Sequence, residues 1–228
     1  MSKENTRRKI HPDIECVPIG FANGQAQKNP LTEEEKEYMI SQASHHYGRF
    51  LDALKCDWKN DPNSMETPRR VAKAYVNDLW KGRYDSLSDV TSFPSDGYRG
   101  IVLEKDIPVV SQCSHHHQTI LGKAHIAYIP GKDGRVIGLS KLNRIVDWFA
   151  RRPQVQENLT MQIHKHIDEV CLGNKGVGVM VSADHMCACV RGVKHDSTMK
   201  TARMSGAFLD QNDLTRQEFY DFVRDLKR

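Results

Sequence analysis

No stretch of this chain approaches the ~18 consecutive apolar residues of a membrane-spanning helix, so no membrane partner is expected. The segment Met1 to Ile10 is charged and polar and has no apolar core of the kind a secretory signal carries; a cytoplasmic location is the expectation that follows. Basic residues are scattered without a run of five, and the net charge is only +4, too little to argue for nucleic acid. Aromatic residues make up 7% and form no visible platform for stacking bases. No internal repeat is visible.

What is present suits one domain with a core, or a core domain with a smaller partner: 228 residues, 39% hydrophobic and 27% charged. The six cysteines are Cys16, Cys56, Cys113, Cys171, Cys187 and Cys189. Without an export signal, metal binding or plain burial is expected of them ahead of disulfides, with Cys56 and Cys171 as small buried residues.

Pro12, Gly20, Gly24 and Pro30 punctuate a polar arm over residues 1 to about 30. Thr32 and Glu35 have the spacing of a capping box, and a helix is predicted over Glu33 to Leu54 with Met39, Ala43, Tyr47, Phe50 and Leu54 at helical spacing. A second helix is predicted from Thr67, as N-cap before Pro68, to about Lys81, with Gly82 as its stop. Residues 83 to 98 read as loop, which makes 31–98 a helical region and 99–228 a second unit. In that unit Ile101 to Val110 and Lys123 to Ile129 read as strands. Helices follow over about Ser140 to Ala150 and from Pro153 to Cys171, placing His164 and His166, like His45 and His46, at solvated helix positions. Gly176 to Ser182 reads as a strand with Met186 to Val193 as its partner, and a last helix spans about Asp213 to Leu226. The order strand, strand, helix, helix, strand, strand indicates an α+β domain with an antiparallel sheet.

Two segments carry metal-ligand chemistry: Cys113-Ser114-His115-His116-His117 and His185-Met186-Cys187-Ala188-Cys189, their cysteines Cys113 and Cys187 being 74 residues apart. Each offers thiolate and imidazole, the donors zinc prefers. Such a separation favours a site built into a folded core over a local zinc knuckle. On a strand, His185 and Cys187 would face the same side, whereas Cys113 and His116, three apart, suit a turn. Cys113, His116 and Cys187 would leave a tetrahedral metal one open position for water, the pattern of a catalytic site, with His115 and His185 free to move protons. His117 and Cys189 adjoin the site and are expected to face outward or pack; a four-ligand structural zinc using Cys189 stays open. Arg69, Arg70 and Lys73 near a helix start oppose its dipole, a cost that a bound anion would relieve, although a solvated face explains them as well. Glu157, beside Gln156 at the start of a helix, could accept two hydrogen bonds from an amidine-like edge such as that of guanine, or could be a favourable first-turn charge.

Five blocks in order resemble the GTP cyclohydrolase I family over about residues 32 to 228: Thr67-Pro68-Arg69-Arg70-Val71-Ala72-Lys73; Cys113-Ser114-His115-His116; Gly138-Leu139-Ser140-Lys141-Leu142-Asn143-Arg144; Arg152-Pro153-Gln154-Val155-Gln156-Glu157-Asn158-Leu159-Thr160; and His185-Met186-Cys187 with Arg191-Gly192. The resemblance implies a tunnelling fold, a four-stranded antiparallel sheet with two antiparallel helices (ββααββ), preceded by a helical N-terminal region. It implies a ring-forming homo-oligomer, commonly a decamer, with sites at subunit interfaces. It also implies hydrolysis of GTP at C8 by zinc-bound water, loss of formate, and rearrangement to 7,8-dihydroneopterin triphosphate. On that reading Cys113, His116 and Cys187 hold zinc; His115 and His185 are the acid–base residues; Ser140 acts near the ribose. Glu157 with Gln156 grips the guanine edge, and Arg70, Lys73, Lys141, Arg144 and Arg191 receive the triphosphate. Ser114 stands where the family often has Glu, His117 where an apolar residue is usual, and Cys189 is an extra thiol. Two other readings remain: a purine- or pterin-binding tunnelling-fold protein without turnover, and a structural zinc module that binds protein or nucleic acid.

Overall fold

The predicted capping box is present: Glu35 N–H donates to Thr32 Oγ1 at 3.2 Å, and the Glu35 carboxylate accepts from Thr32 N–H at 2.9 Å. Helix α1 (Glu33–Ala53) starts there in the computed structural model, which describes residues 26, 30–132, 134–210 and 214–224. The arm expected over residues 1 to about 30 therefore lies almost wholly outside the described residues. Only Ile40 and Gly48 of α1 are buried; Phe50 and Leu54, two of the residues at helical spacing, are more than half exposed.

The second predicted helix is broken into three pieces. Helix α2 (Thr67–Ala74) begins after Glu66, with Thr67 inside the helix and no side-chain cap. A π-helical turn follows over Tyr75–Leu79, then a short helix α3 (Lys81–Tyr84). Ile40, Ala72, Val76 and Tyr84 join these pieces to α1 in a small core. Gly82 is not a stop: it lies within α3, its N–H donates to Arg151 O at 3.2 Å, and a Cβ there would stand 2.0 Å from Trp148 O. Gly82→Ala forces backbone apart from backbone, and we expect a loss of about 1–3 kcal/mol, read as a lower denaturation midpoint at unchanged slope.

The predicted strand, strand, helix, helix, strand, strand order is found. Strands β1 (Ser92–Pro94) and β4 (Arg135–Ile137) make a small antiparallel pair. The main sheet contains β2 (Val102–Cys113), β3 (Thr119–Ile129), β5 (Pro153–Gln154), β6 (Gly176–His185) and β7 (Thr198–Met204), in the order β5-β2-β3-β6-β7. The four long strands are antiparallel, as expected of the tunnelling fold, and the two-residue β5 adds a parallel edge beside the end of β2. Pro153 thus opens β5 and not a helix. Helix α5 (Gln156–Val170) starts three residues later. The expected partner strand over Met186 to Val193 is a short helix, α6 (Met186–Cys189), and β7 takes the pairing role.

Alternation along β3 sorts the two faces. Ala124, Ile126 and Tyr128 meet α4 (Leu139–Ala150) and α5 through Leu142, Ile145, Val146, Leu159, Ile163 and Ile167. Each such aliphatic chain contributes about 1.5–3 kcal/mol by leaving water. On the opposite face Ala127 and Ile129 pack with Met204, Phe208 and Phe219, the last from helix α7 (Thr215–Arg224). His164 and His166 are not solvated. His164 is buried and bonded to Ser205 Oγ at 3.1 Å, and His166 stacks edge-on to Phe149. Cys171 is buried as expected, but Cys56 is exposed.

Candidate active site

The register of the sheet brings the two Cys/His segments together. Gln112 pairs with Thr119, so residues 113–118 form the tip of the β2–β3 hairpin; Ile120 pairs with His185, so the end of β6 lies beside that tip. A separation of 74 residues in sequence becomes adjacency on neighbouring strands. His185 is the last residue of β6 and Cys187 sits in α6, so the expected same-strand geometry is replaced by a strand-to-helix corner.

The Cys113 and Cys187 thiols are in hydrogen-bonding contact. Burial first, and then the Cys113 thiol, push the Cys187 thiol above its ordinary value. His115 Nδ1 lies 3.5 Å from Cys113 Sγ. His116 faces elsewhere: its Nε2 is 3.0 Å from Arg191 Nη1. A guanidinium can only donate, so the lone pair of that imidazole nitrogen is engaged by Arg191. Among the described residues no three His, Cys, Asp or Glu side chains stand in a metal-holding arrangement, and the orientation of His116 explains why the expected trio is not closed. The donors nonetheless suit a soft divalent cation. Two thiols in contact resist ionising together, and a divalent cation held by them and by an imidazole of the same hairpin would remove that penalty.

His185 is half-buried, and burial pulls its pKa below the usual histidine value against the opposing pull of Glu157 and Asp184. Its Nε2 is 2.8 Å from Gln156 Oε1. Gln156 is 1% exposed, and its Nε2 meets Val181 O at 3.0 Å, Met199 O at 3.1 Å and Thr201 Oγ1 at 3.1 Å. The amide is therefore committed within the chain, on His185, whereas Glu157 on the first turn of α5 is exposed and within electrostatic reach of the same histidine.

The remaining candidates divide by position. Arg191 is exposed beside His116. Arg70 and Lys73 are exposed on α2, which runs into the π-helical turn that touches the hairpin. Ser140, Lys141 and Arg144 lie at the start of α4, and Asn143 there donates to the Glu104 carboxylate. Glu104 precedes Cys113 by nine residues of β2, about 30 Å at ~3.3 Å per residue. Within one chain the α4 start and the thiol pair thus occupy opposite ends of the sheet.

At His117, expected to face outward or pack, the structure supplies a partner that the sequence does not name. His117, with a positive φ of 51°, sets its ring edge-on to Trp80 at 5.0 Å and to Tyr75 at 6.5 Å, while Trp80 Nε1–H donates to Gln112 Oε1 at 2.6 Å. The helical region thereby clamps the hairpin. The signal available was the replacement of a usual apolar residue by His117, which by itself names no partner.

Comparison with known proteins agrees with this geometry. A profile of the family described as GTP cyclohydrolase I matches residues 43–224. A "GTP cyclohydrolase 1 2" of Pseudomonas aeruginosa is 45% identical over 183 residues, covering 78% of this chain and 97% of that protein. A GTP cyclohydrolase 1 of Chromohalobacter salexigens is 47% identical over 188 residues, covering 81% and 99%. A GTP cyclohydrolase 1 of Flavobacterium johnsoniae is 38% identical over 204 residues, covering 86% and 89%. With five motif blocks, a ββααββ sheet and a Cys/His cluster at the end of that sheet in one chain, the protein belongs to the GTP cyclohydrolase I family of enzymes.

Proposed function

We propose that this enzyme hydrolyses GTP at C8, releases C8 as formate with net consumption of one water, and yields 7,8-dihydroneopterin triphosphate. The observation that carries the reading is the contact of the Cys113 and Cys187 thiols, with His115 against Cys113 and His185 on the adjoining strand end, at one end of the sheet. Cys113, Cys187 and His116, once its ring turns from Arg191, would hold zinc. Bound there, zinc supplies a Lewis acid that activates water at neutral pH.

The chain's own groups account for the rest. His115, against Cys113, and His185, held on Gln156, hold and move protons at N7 of the purine and in the later ring steps. The exposed Glu157 carboxylate accepts from N1–H and the exocyclic amine, which selects guanine over adenine, since adenine lacks that donor pair. Arg191, freed from His116, would be available to phosphate. Arg70, Lys73, Lys141 and Arg144 add positive charge for a triphosphate carrying about four negative charges, and Ser140 reaches the ribose.

The ~30 Å between the α4 start and the thiol pair means that one chain does not carry all of these roles in one pocket. We therefore assign each site to an interface in a homo-oligomeric ring, where the α4 start of one subunit completes the pocket of its neighbour. Incubation of the metal-loaded protein with GTP, followed by mass spectrometry, tests the reading. Formate and the dihydropterin triphosphate are the expected products. Accumulation of a ring-opened formamide would place His115 and His185 outside the later steps, and intact GTP would overturn the activity.

A further inference from the structure

The contacts of Gln156 are directional, and they determine which way its amide faces. Val181 O and Met199 O, at 3.0 and 3.1 Å, are carbonyl oxygens and can only accept. The amide nitrogen must be the atom facing them, which turns Oε1 toward His185. The neighbouring hydroxyls agree with that orientation. Thr160 Oγ1 donates to Gln156 O at 2.9 Å, so its 2.6 Å contact with Thr201 Oγ1 is an acceptance from Thr201. Having given its proton to Thr160, Thr201 Oγ1 has only lone pairs for the Gln156 amide, 3.1 Å away. Every polar atom of the chain Thr201, Thr160, Gln156 then has one role, and all of it is buried or half-buried behind α5.

The last link is His185. Its Nε2 lies 2.8 Å from an oxygen that can only accept, so Nε2 must carry the hydrogen. A neutral imidazole protonated at Nε2 has its lone pair at Nδ1. We propose that Gln156 is a positioning residue that locks His185 in the Nε2–H tautomer, making Nδ1 the atom that takes and returns the proton. The inference rests on the reading of His185 as an acid–base group and refines it. The choice of an amide matters: a carboxylate in that place would bind the imidazolium as an ion pair and hold its proton back, whereas a neutral acceptor orients the ring and leaves it free to give the proton up. The acceptor is held by two strands, β6 through Val181 and β7 through Met199 and Thr201, so the ring orientation is set by the sheet.

The test is the tautomer itself, read by magic-angle-spinning 15N NMR of the full-length protein labelled at histidine, at neutral pH. The His185 signals are assigned by their loss in His185→Asn. The expected spectrum shows a protonated Nε2 and an unprotonated Nδ1 in the wild type, and Nε2 stays protonated in Gln156→Glu, which keeps an acceptor oxygen. In Gln156→Met the Nδ1–H form becomes populated. With GTP, Gln156→Met should lower kcat by about 10²-fold, within the range of lost proton-transfer catalysis, with KM changed less than about threefold. An Nδ1–H wild type overturns the proposal whatever the variants do, including a Gln156→Met chain that fails to fold. A variant that raises KM at unchanged kcat also overturns it, because that result makes Gln156 a substrate contact. Inactivity of the wild type toward GTP would count against the function proposed above and leave the tautomer readable.

Discussion

Replacing Cys187 by alanine is expected to empty the metal site and stop the reaction. The Cys187 thiol is half-buried and bonded to Cys113, and burial holds it above its ordinary pKa. That combination has no structural benefit: an ionised thiol pair is repelled, and a neutral one is a weak contact between sulfurs. Without Cys187 the pocket keeps one thiol and the hairpin imidazoles, too few soft donors for a tetrahedral zinc with an open position. Formate release should fall on the order of 10³-fold or more, beyond the 10–100-fold typical of residues that only support ligands. Metal per chain should fall with it, while circular dichroism stays that of the wild type. Cys189→Ala is the contrasting variant and should retain metal and activity. If Cys189→Ala loses metal and Cys187→Ala keeps it, the extra thiol is a ligand and the assignment of Cys187 is wrong.

The second large effect comes from mixing defective subunits. Asn143 on the first turns of α4 bonds Glu104, nine residues along β2 from Cys113, so Lys141 and Arg144 stand roughly 30 Å from the thiol pair of their own chain. Cys187→Ala and the double variant Lys141→Ala/Arg144→Ala should each be nearly inactive alone, the second through loss of charge-assisted phosphate contacts, on the order of 10²-fold in kcat/KM. Coexpressed in equal amounts with different tags and purified through both, they should recover about a quarter of wild-type activity, because in a ring of neighbour-shared sites one pocket in four draws both halves from intact subunits. Sites contained within one chain would give no recovery at all.

The parts of this molecule legible in its sequence are those where one local signal suffices. Thr32 and Glu35 announce α1 by reciprocal bonds four residues wide, and the apolar period of Leu159, Ile163 and Ile167 announces α5. The pairing of β6 was harder. Residues Thr198–Met204 of β7 form a sheet edge, mostly exposed, with polar and apolar side chains out of step with a buried strand, whereas Met186 to Val193 is apolar enough to imitate one. Gly82 reads as a helix stop because close backbone approach and left-handed turns both select glycine. At the site, the residue types were legible from their chemistry, and Cys113 and Cys187 do meet. What could not be read were relations that arise only on folding: the turn of His116 toward Arg191, the edge-on packing of His117 on Trp80, and the commitment of the Gln156 amide to His185. Motif position places Gln156 and Glu157 together, but helix geometry sends the first inward and the second out.

Cys113, Cys187 and one hairpin imidazole are proposed to hold a cation that serves chemistry on GTP. The measurement that tests this assignment most directly takes one protein sample, determines its metal per chain, and follows formate from added GTP as the metal is removed by chelation and returned. Formate release should vanish with the metal, return with zinc, and level off at one zinc per chain. Protein that binds one zinc per chain and leaves GTP intact, or that releases formate at full rate after the metal is gone, would contradict it.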